Sequence, residues 1–154
     1  MKKVLFILPI LLSGCIYSFR GFATVEYKSI TINPYTNNTL RYGLNDIFYQ
    51  NTVDEFIRDG RIKLMESGAE TVLSIVITDY ENRPFTFDEY ENIKEYRIDV
   101  QLNLSYQKSN GEGIWERTLK EWVTYDRSLT EDDGVQSLAE KVASSIVRTV
   151  LEQR

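Results

Sequence analysis

Apolar and polar residues alternate without a break through the middle of this chain. From position 96 to 107, Tyr96, Ile98, Val100, Leu102, Leu104 and Tyr106 share one phase, and Arg97, Asp99, Gln101, Asn103, Ser105 and Gln107 share the other. Successive side chains of a strand point to opposite faces. Residues 93–107 therefore predict an antiparallel strand with one buried face and one wet face. Asn110-Gly111 supplies a hairpin turn. A return strand over 114–125 keeps Trp115, Leu119, Val123 and Tyr125 in phase. Upstream, residues 27–33 alternate until Pro34, and residues 61–65 alternate briefly before Glu66-Ser67-Gly68. Residues 71–80 carry apolar side chains on both faces, as an interior strand does.

The period lengthens to that of a helix in two places. Residues 43–59 predict a helix with Tyr49, Val53, Phe56 and Ile57 on its apolar side, broadened by Leu44, Ile47 and Phe48, and Gly60 suits its C-terminus. Residues 133–152 predict a second. Val135, Leu138, Ala139, Val142, Ala143, Ile146, Val147 and Val150 form its apolar stripe, with Glu140, Lys141, Ser144 and Arg148 opposite. The acidic run Glu131-Asp132-Asp133 stands just ahead of it, where carboxylates stabilise a helix N-terminus. One helix cannot bury such a stripe alone. The element order predicts an α+β two-layer sandwich: a mostly antiparallel or mixed sheet of four to five strands, with two helices packed on one face.

The chain opens differently. Lys2 and Lys3 precede an apolar run from Val4 to Leu12 that ends in Leu12-Ser13-Gly14-Cys15. A basic start, a short apolar run and small residues before a cut form a secretory signal. The run is shorter than the ~20 residues a membrane span needs. Leu-Ser-Gly-Cys also follows the bacterial lipobox pattern, in which the cysteine thiol is diacylated before cleavage. The rival is an ordinary signal peptide with a chance cysteine; the position of Cys15 and its small neighbours favour lipidation. The expected organisation is a cleaved signal over residues 1–14, a lipidated tether over 15–25 and one domain over 26–154. Acyl chains add about 0.8 kcal/mol of membrane affinity per methylene, so two or three hold a protein on a bilayer.

Composition narrows the chemistry. The chain has no histidine and one cysteine, so the commonest general base and metal ligand is missing. Loss of Lys2 and Lys3 takes the formal charge from −5 to −7, which argues against nucleic acid as a partner. No metal-ligand spacing, phosphate loop or nucleophile constellation is present. Asp88, Glu89 and Glu91, with Glu95 close by, have the residue types of a glycosidase pair. They lie in a polar stretch with no apolar pocket to raise a pKa, so a solvated loop is the better reading. Two surface features remain. Arg97, Gln101, Asn103 and Gln107 form a polar stripe that is either a partner-binding face or simply the wet side of a sheet. Tyr80, Phe85, Phe87, Tyr90, Tyr96, Trp115 and Trp122 crowd the hairpins; most should pack, and any left exposed would mark a protein interface.

Several stretches in order carry a resemblance. They are Gly14-Cys15-Ile16-Tyr17-Ser18-Phe19, then Ile32-Asn33-Pro34-Tyr35-Thr36-Asn37-Asn38-Thr39, a helix leading into Gly60-Arg61-Ile62-Lys63-Leu64, and Gly68-Ala69-Glu70-Thr71-Val72-Leu73. A long hairpin and a terminal helix follow. The chain resembles the LptE family of lipopolysaccharide-assembly lipoproteins over most of its length after Cys15. That resemblance implies a small α/β sandwich at the outer membrane of diderm bacteria. It would sit inside the large β-barrel protein LptD, help that barrel assemble and bind lipopolysaccharide. The resemblance implies no catalytic residue and no cofactor. No motif fixes the lipopolysaccharide contacts, and a net acidic chain needs a local basic group for phosphate; Arg83, Lys94 and Arg97 are the candidates. Ile16, not Asp, follows Cys15, and Asp there is the inner-membrane retention signal of enteric bacteria, so the outer membrane is the expected destination. The alternative is a lipoprotein activator or scaffold of a periplasmic cell-wall synthase. A plug needs contact surface around much of its girth, whereas an activator needs one patch.

Overall fold

A computed structural model describes residues 26–152. Cys15 and the expected signal and tether lie outside the described residues. The elements are β1 (Ser29–Ile32), β2 (Thr36–Asn37), α1 (Leu44–Asp59), β3 (Lys63–Leu64), β4 (Thr71–Phe87), β5 (Ile93–Lys108), β6 (Gly113–Asp126) and α2 (Glu131–Leu151). The sheet order is β3-β1-β4-β5-β6, with β2 also on β4. β1 pairs in parallel with β3 and β4, and β2 in parallel with β4. β4, β5 and β6 form an antiparallel meander. This is the expected α+β sandwich, and the two-residue β2 and β3 bring the strand count to six.

Both helices cover the face that carries Ile98, Val100, Leu102, Leu104 and Tyr106, and the core lies between them. The alternation read along β5 is therefore its real two-sidedness. α2 buries Val135, Leu138, Ala139, Val142, Ile146 and Val150 as its stripe requires. It starts earlier than the periodicity suggests because Thr130 caps it. The Thr130 hydroxyl accepts from the Asp133 backbone N–H at 3.3 Å, and the Asp133 carboxylate accepts from the Thr130 N–H at 2.9 Å. That reciprocal box places Glu131, Asp132 and Asp133 in the first turn, not ahead of it.

α1 corrects its predicted stripe. Leu44, Phe48, Thr52 and Phe56 are the buried residues, a spacing of four that lines up one face of a helix. Ile57 is 65% exposed, and Tyr49 and Val53 only flank the core. Thr52 sits in this apolar row because the Tyr35 hydroxyl shares a 2.8 Å hydrogen bond with it. Gly60 takes φ 69°, and its N–H closes the helix on the Phe56 carbonyl at 3.1 Å.

β4 runs past its predicted end at Tyr80 to Phe87. Its register against β5 shifts between Ile77 and Asp79 and again between Pro84 and Phe87. The first shift inserts Thr78 as an extra residue and turns Tyr80 and Asn82 to the helix side, opposite Val100 and Ile98. There the Asn82 amide donates to the Tyr125 hydroxyl at 2.9 Å. Beyond Tyr80 the strand has wet residues on both faces, so no single period marks it as a strand.

Candidate functional site

Among the described residues, the face of the sheet away from the helices carries no second layer. The residues of the predicted polar stripe lie on it, joined by Asp79, Glu81 and Arg83 of β4 and Glu116, Thr118, Lys120 and Trp122 of β6. Arg83 stands directly opposite Arg97 across the β4–β5 pair. Two like charges so placed repel, and Asp99 resolves the conflict. Its carboxylate accepts from Arg97 Nε at 2.9 Å and from Arg83 Nη2 at 3.3 Å. Partial burial opposes ionisation of Asp99, but these arginine hydrogen bonds outweigh it and hold the carboxyl below its usual range. Arg83 also lies 3.7 Å from Glu81.

The Arg97 guanidinium is further held between two rings, 4.3 Å from the centre of Trp122 and 5.6 Å from that of Phe85. The result is an aromatic and ionic cluster on an open surface. Arg83 is its more accessible cation, with 48% of its side chain exposed against 22% for Arg97. Lys94 does not join it. Strand alternation puts Lys94 on the opposite face of β5 from Arg97. Two of the three basic residues singled out in the sequence are thus brought together. Nearer the Lys108 end of the same face, Ser74, Val76, Asn103, Ser105, Glu116 and Thr118 line a shallow groove of about 330 Å³.

Other predicted features sort plainly. The carboxylates around the β4–β5 turn face solvent. Asp88 accepts from the backbone N–H groups of Tyr90 and Asn92, both at 2.9 Å, and so shapes the turn. The Asn92 side-chain amide, which donates to Asp88 at 3.1 Å, and then these backbone groups lower its pKa. Glu95 accepts from the Thr86 hydroxyl at 2.8 Å on the neighbouring strand. Of the hairpin aromatics, Tyr80, Tyr96 and Trp115 pack against the core. Phe85, Phe87, Tyr90 and Trp122 are exposed.

A second exposed feature escapes the hydropathy pattern. Leu40 and Tyr42 are almost fully exposed on the loop between β2 and α1, yet that loop is tightly built. Asn37 donates to the Arg41 carbonyl at 2.7 Å and accepts from both the Thr39 N–H and hydroxyl. Arg41 then pairs with Glu131 at 2.9 Å and with Asp132. The Tyr80 hydroxyl donates to the same Glu131 at 2.7 Å. Burial, and then the Glu131 carboxylate, push the Tyr80 hydroxyl well above its ordinary range. The Asn37-Asn38-Thr39 run signals the loop, but nothing in a single sequence marks the two residues it displays.

No helix among the described residues is long and apolar enough to cross a membrane. No curated protein matches the chain. Solved structures do share its fold. A minor lipoprotein from Acinetobacter baumannii superposes with a TM-score of 0.56 at 15% identity, covering 83% of this chain and 95% of that one. A protein from Xanthomonas campestris gives 0.61 at 14% identity, covering 86% and 88%. A lipoprotein B from Nitrosomonas europaea gives 0.54 at 14%, covering 88% and 90%. At such identities the likeness concerns the fold, and the sequence match is what assigns the family. Residues 27–153 fit the model of LptE, described as lipopolysaccharide-assembly; the chain belongs to the LptE family.

Proposed function

We propose that this protein is an acylated, non-enzymatic lipoprotein of lipopolysaccharide assembly, anchored through Cys15 in the outer membrane. There it seats against the β-barrel LptD, assists assembly of that barrel and contacts lipopolysaccharide. The observation that carries this reading is the LptE match over residues 27–153. The lipobox ending in Cys15 supports the anchor, and two of the proteins that share the fold are themselves lipoproteins. A lipid tether confines the search for a membrane partner to a surface and raises effective concentration there. Exposed Tyr42, with Leu40 beside it, and Phe85, Phe87, Tyr90 and Trp122 on the β4–β6 side supply the aromatic surface in which protein interfaces are enriched.

Arg83 and Arg97 are the proposed contacts for lipopolysaccharide phosphate, with Lys94 reaching the same molecule only around the end of the hairpin. Asp99 and Glu81 compete for the two guanidinium groups, so binding requires the phosphate to share or displace those carboxylates. Pull-down of the acylated full chain from membranes tests the partner: a large β-barrel protein is expected, and recovery of a cell-wall synthase alone overturns the reading. For the ligand, Arg83→Ala and Arg97→Ala together should reduce binding to purified lipopolysaccharide. Unchanged binding would remove these residues from the site without touching the barrel assignment.

A further inference from the structure

The β4–β5 hairpin outruns the rest of the sheet. α2 begins level with Tyr80, whose hydroxyl donates to Glu131 at 2.7 Å, and the last pair that β6 makes is Asp126 with Glu95. β4 and β5 run on alone to the pair of Phe87 with Ile93. A two-stranded ribbon standing by itself is marginal in water, so its turn must be built to hold. Asp88 does this. Its carboxylate gathers the N–H groups of Tyr90 and Asn92, and the Glu91 N–H donates to the Asp88 carbonyl at 3.1 Å. Glu91 closes the turn at φ 63°, a left-handed conformation that strains any side chain and that glycine would adopt freely. Strain of this kind persists where the surroundings enforce it, often at functional positions. What this turn holds out is Tyr90, 77% exposed, beside Phe87 at 57%.

Aromatic side chains fixed at the surface are what a partner covers, and three occupants fail. The chain's own tether is too short. β1 enters the sheet beside Thr71, at the far end of β4, and the seventeen residues of β4 put Phe87 about 50 Å from there. Ile16 to Val25 reach only about 35 Å when fully extended. A lipid surface is repelled by charge. Residues 88–95 hold Asp88, Glu89, Glu91 and Glu95 against Lys94 alone, and lipid phosphates carry the same sign. Arg127 stays at the base of the ribbon, on the Ile93 carbonyl at 3.4 Å. Glu89 and Glu91 are exposed and form no ion pair among the described residues. A second copy brings the same acidic tip, and like charges brought together oppose docking.

We propose that the tip seats in an apolar pocket rimmed by lysine or arginine on the β-barrel partner. Phe87 and Tyr90 fill the pocket, and Glu89 and Glu91 meet the basic rim. This rests on the barrel assignment above. It adds which end of the domain docks, the end of the sheet farthest from where the tether enters, and what chemistry the barrel must present there.

Irradiation of cells that make the acylated full chain with Tyr90→benzoylphenylalanine tests this. A covalent adduct with a large β-barrel protein is expected. An adduct with a second copy or with lipopolysaccharide alone overturns the proposal, as does no adduct when the parent chain still co-purifies the barrel. Glu89→Lys with Glu91→Lys should lower barrel recovery about tenfold. Phe87→Ser with Tyr90→Ser should lower it at least as far. Ile57→Ser, at an exposed apolar residue in the last turn of α1, should leave it unchanged. Thermal melts report whether each variant folds. Folded tip variants that recover as much barrel as the parent overturn the proposal. A parent chain that recovers no barrel and gives no barrel adduct overturns the barrel assignment, and this contact with it.

Discussion

The guanidinium of Arg97 lies 4.3 Å from the ring centre of Trp122 on the neighbouring strand, while its Nε donates to Asp99 at 2.9 Å. One side chain thus ties the middle of the open face to the edge strand. A cation over an indole face contributes about 0.5–1 kcal/mol at a surface site. Trp122→Ala should lower the unfolding free energy by about 1 kcal/mol. Urea denaturation would register this as a lower midpoint at unchanged slope. Trp122→Phe keeps a ring under the cation and should fall between the two.

Gly134 sets two effects against each other. Alanine is favoured over glycine within a helix by about 1 kcal/mol. A Cβ at Gly134, however, would stand 2.6 Å from Tyr125 Cδ1 and 2.9 Å from Ile98 Cδ1. Both neighbours are buried core residues, so neither can swing into solvent. Overpacking of this kind costs about 1–3 kcal/mol, which exceeds the propensity gain. Gly134→Ala should therefore destabilise the protein, and a thermal melt at or above the parent's midpoint would show that Tyr125 yields.

The buried hydroxyl pair of Tyr35 and Thr52, 2.8 Å apart, predicts a non-additive cycle. Thr52→Val strands the Tyr35 hydroxyl beside the apolar row of α1 and should cost about 1–3 kcal/mol. Tyr35→Phe in that background removes the stranded group and should recover part of the loss. Denaturant unfolding of both singles and the double measures the coupling, and simple additivity would mean that a hidden partner satisfies the hydroxyl.

The same pair explains what the sequence makes legible. β5, β6 and α2 can be read directly because each has one face in water and one in the core along nearly its full length. α1 misleads because Thr52, polar by type, occupies a core position that only a contact from Tyr35 makes tolerable. The distal part of β4 is hidden because Thr78 and the irregularity after Pro84 break its period, and Glu81, Arg83 and Pro84 have the composition of a loop. The meeting of Arg83 with Arg97 depends on strand register, which the Thr78 insertion sets and alternation alone does not. Leu40 and Tyr42 depend on loop geometry and have no periodic signal at all.

Glu131 makes stability sensitive to acid. Its partial burial opposes ionisation, but hydrogen bonds from Tyr80, Asn82 and Arg41 prevail and lower its pKa. An unfolded glutamate titrates near about 4.3. A depressed folded value means the contribution is fully present above that pH and is lost as pH falls through the folded pKa. Glu131→Gln should therefore be less stable than the parent at neutral pH, with the gap narrowing as pH falls below the unfolded value and through the folded one. Thermal melts across that range check it, and a constant gap would remove Glu131 from the acid response.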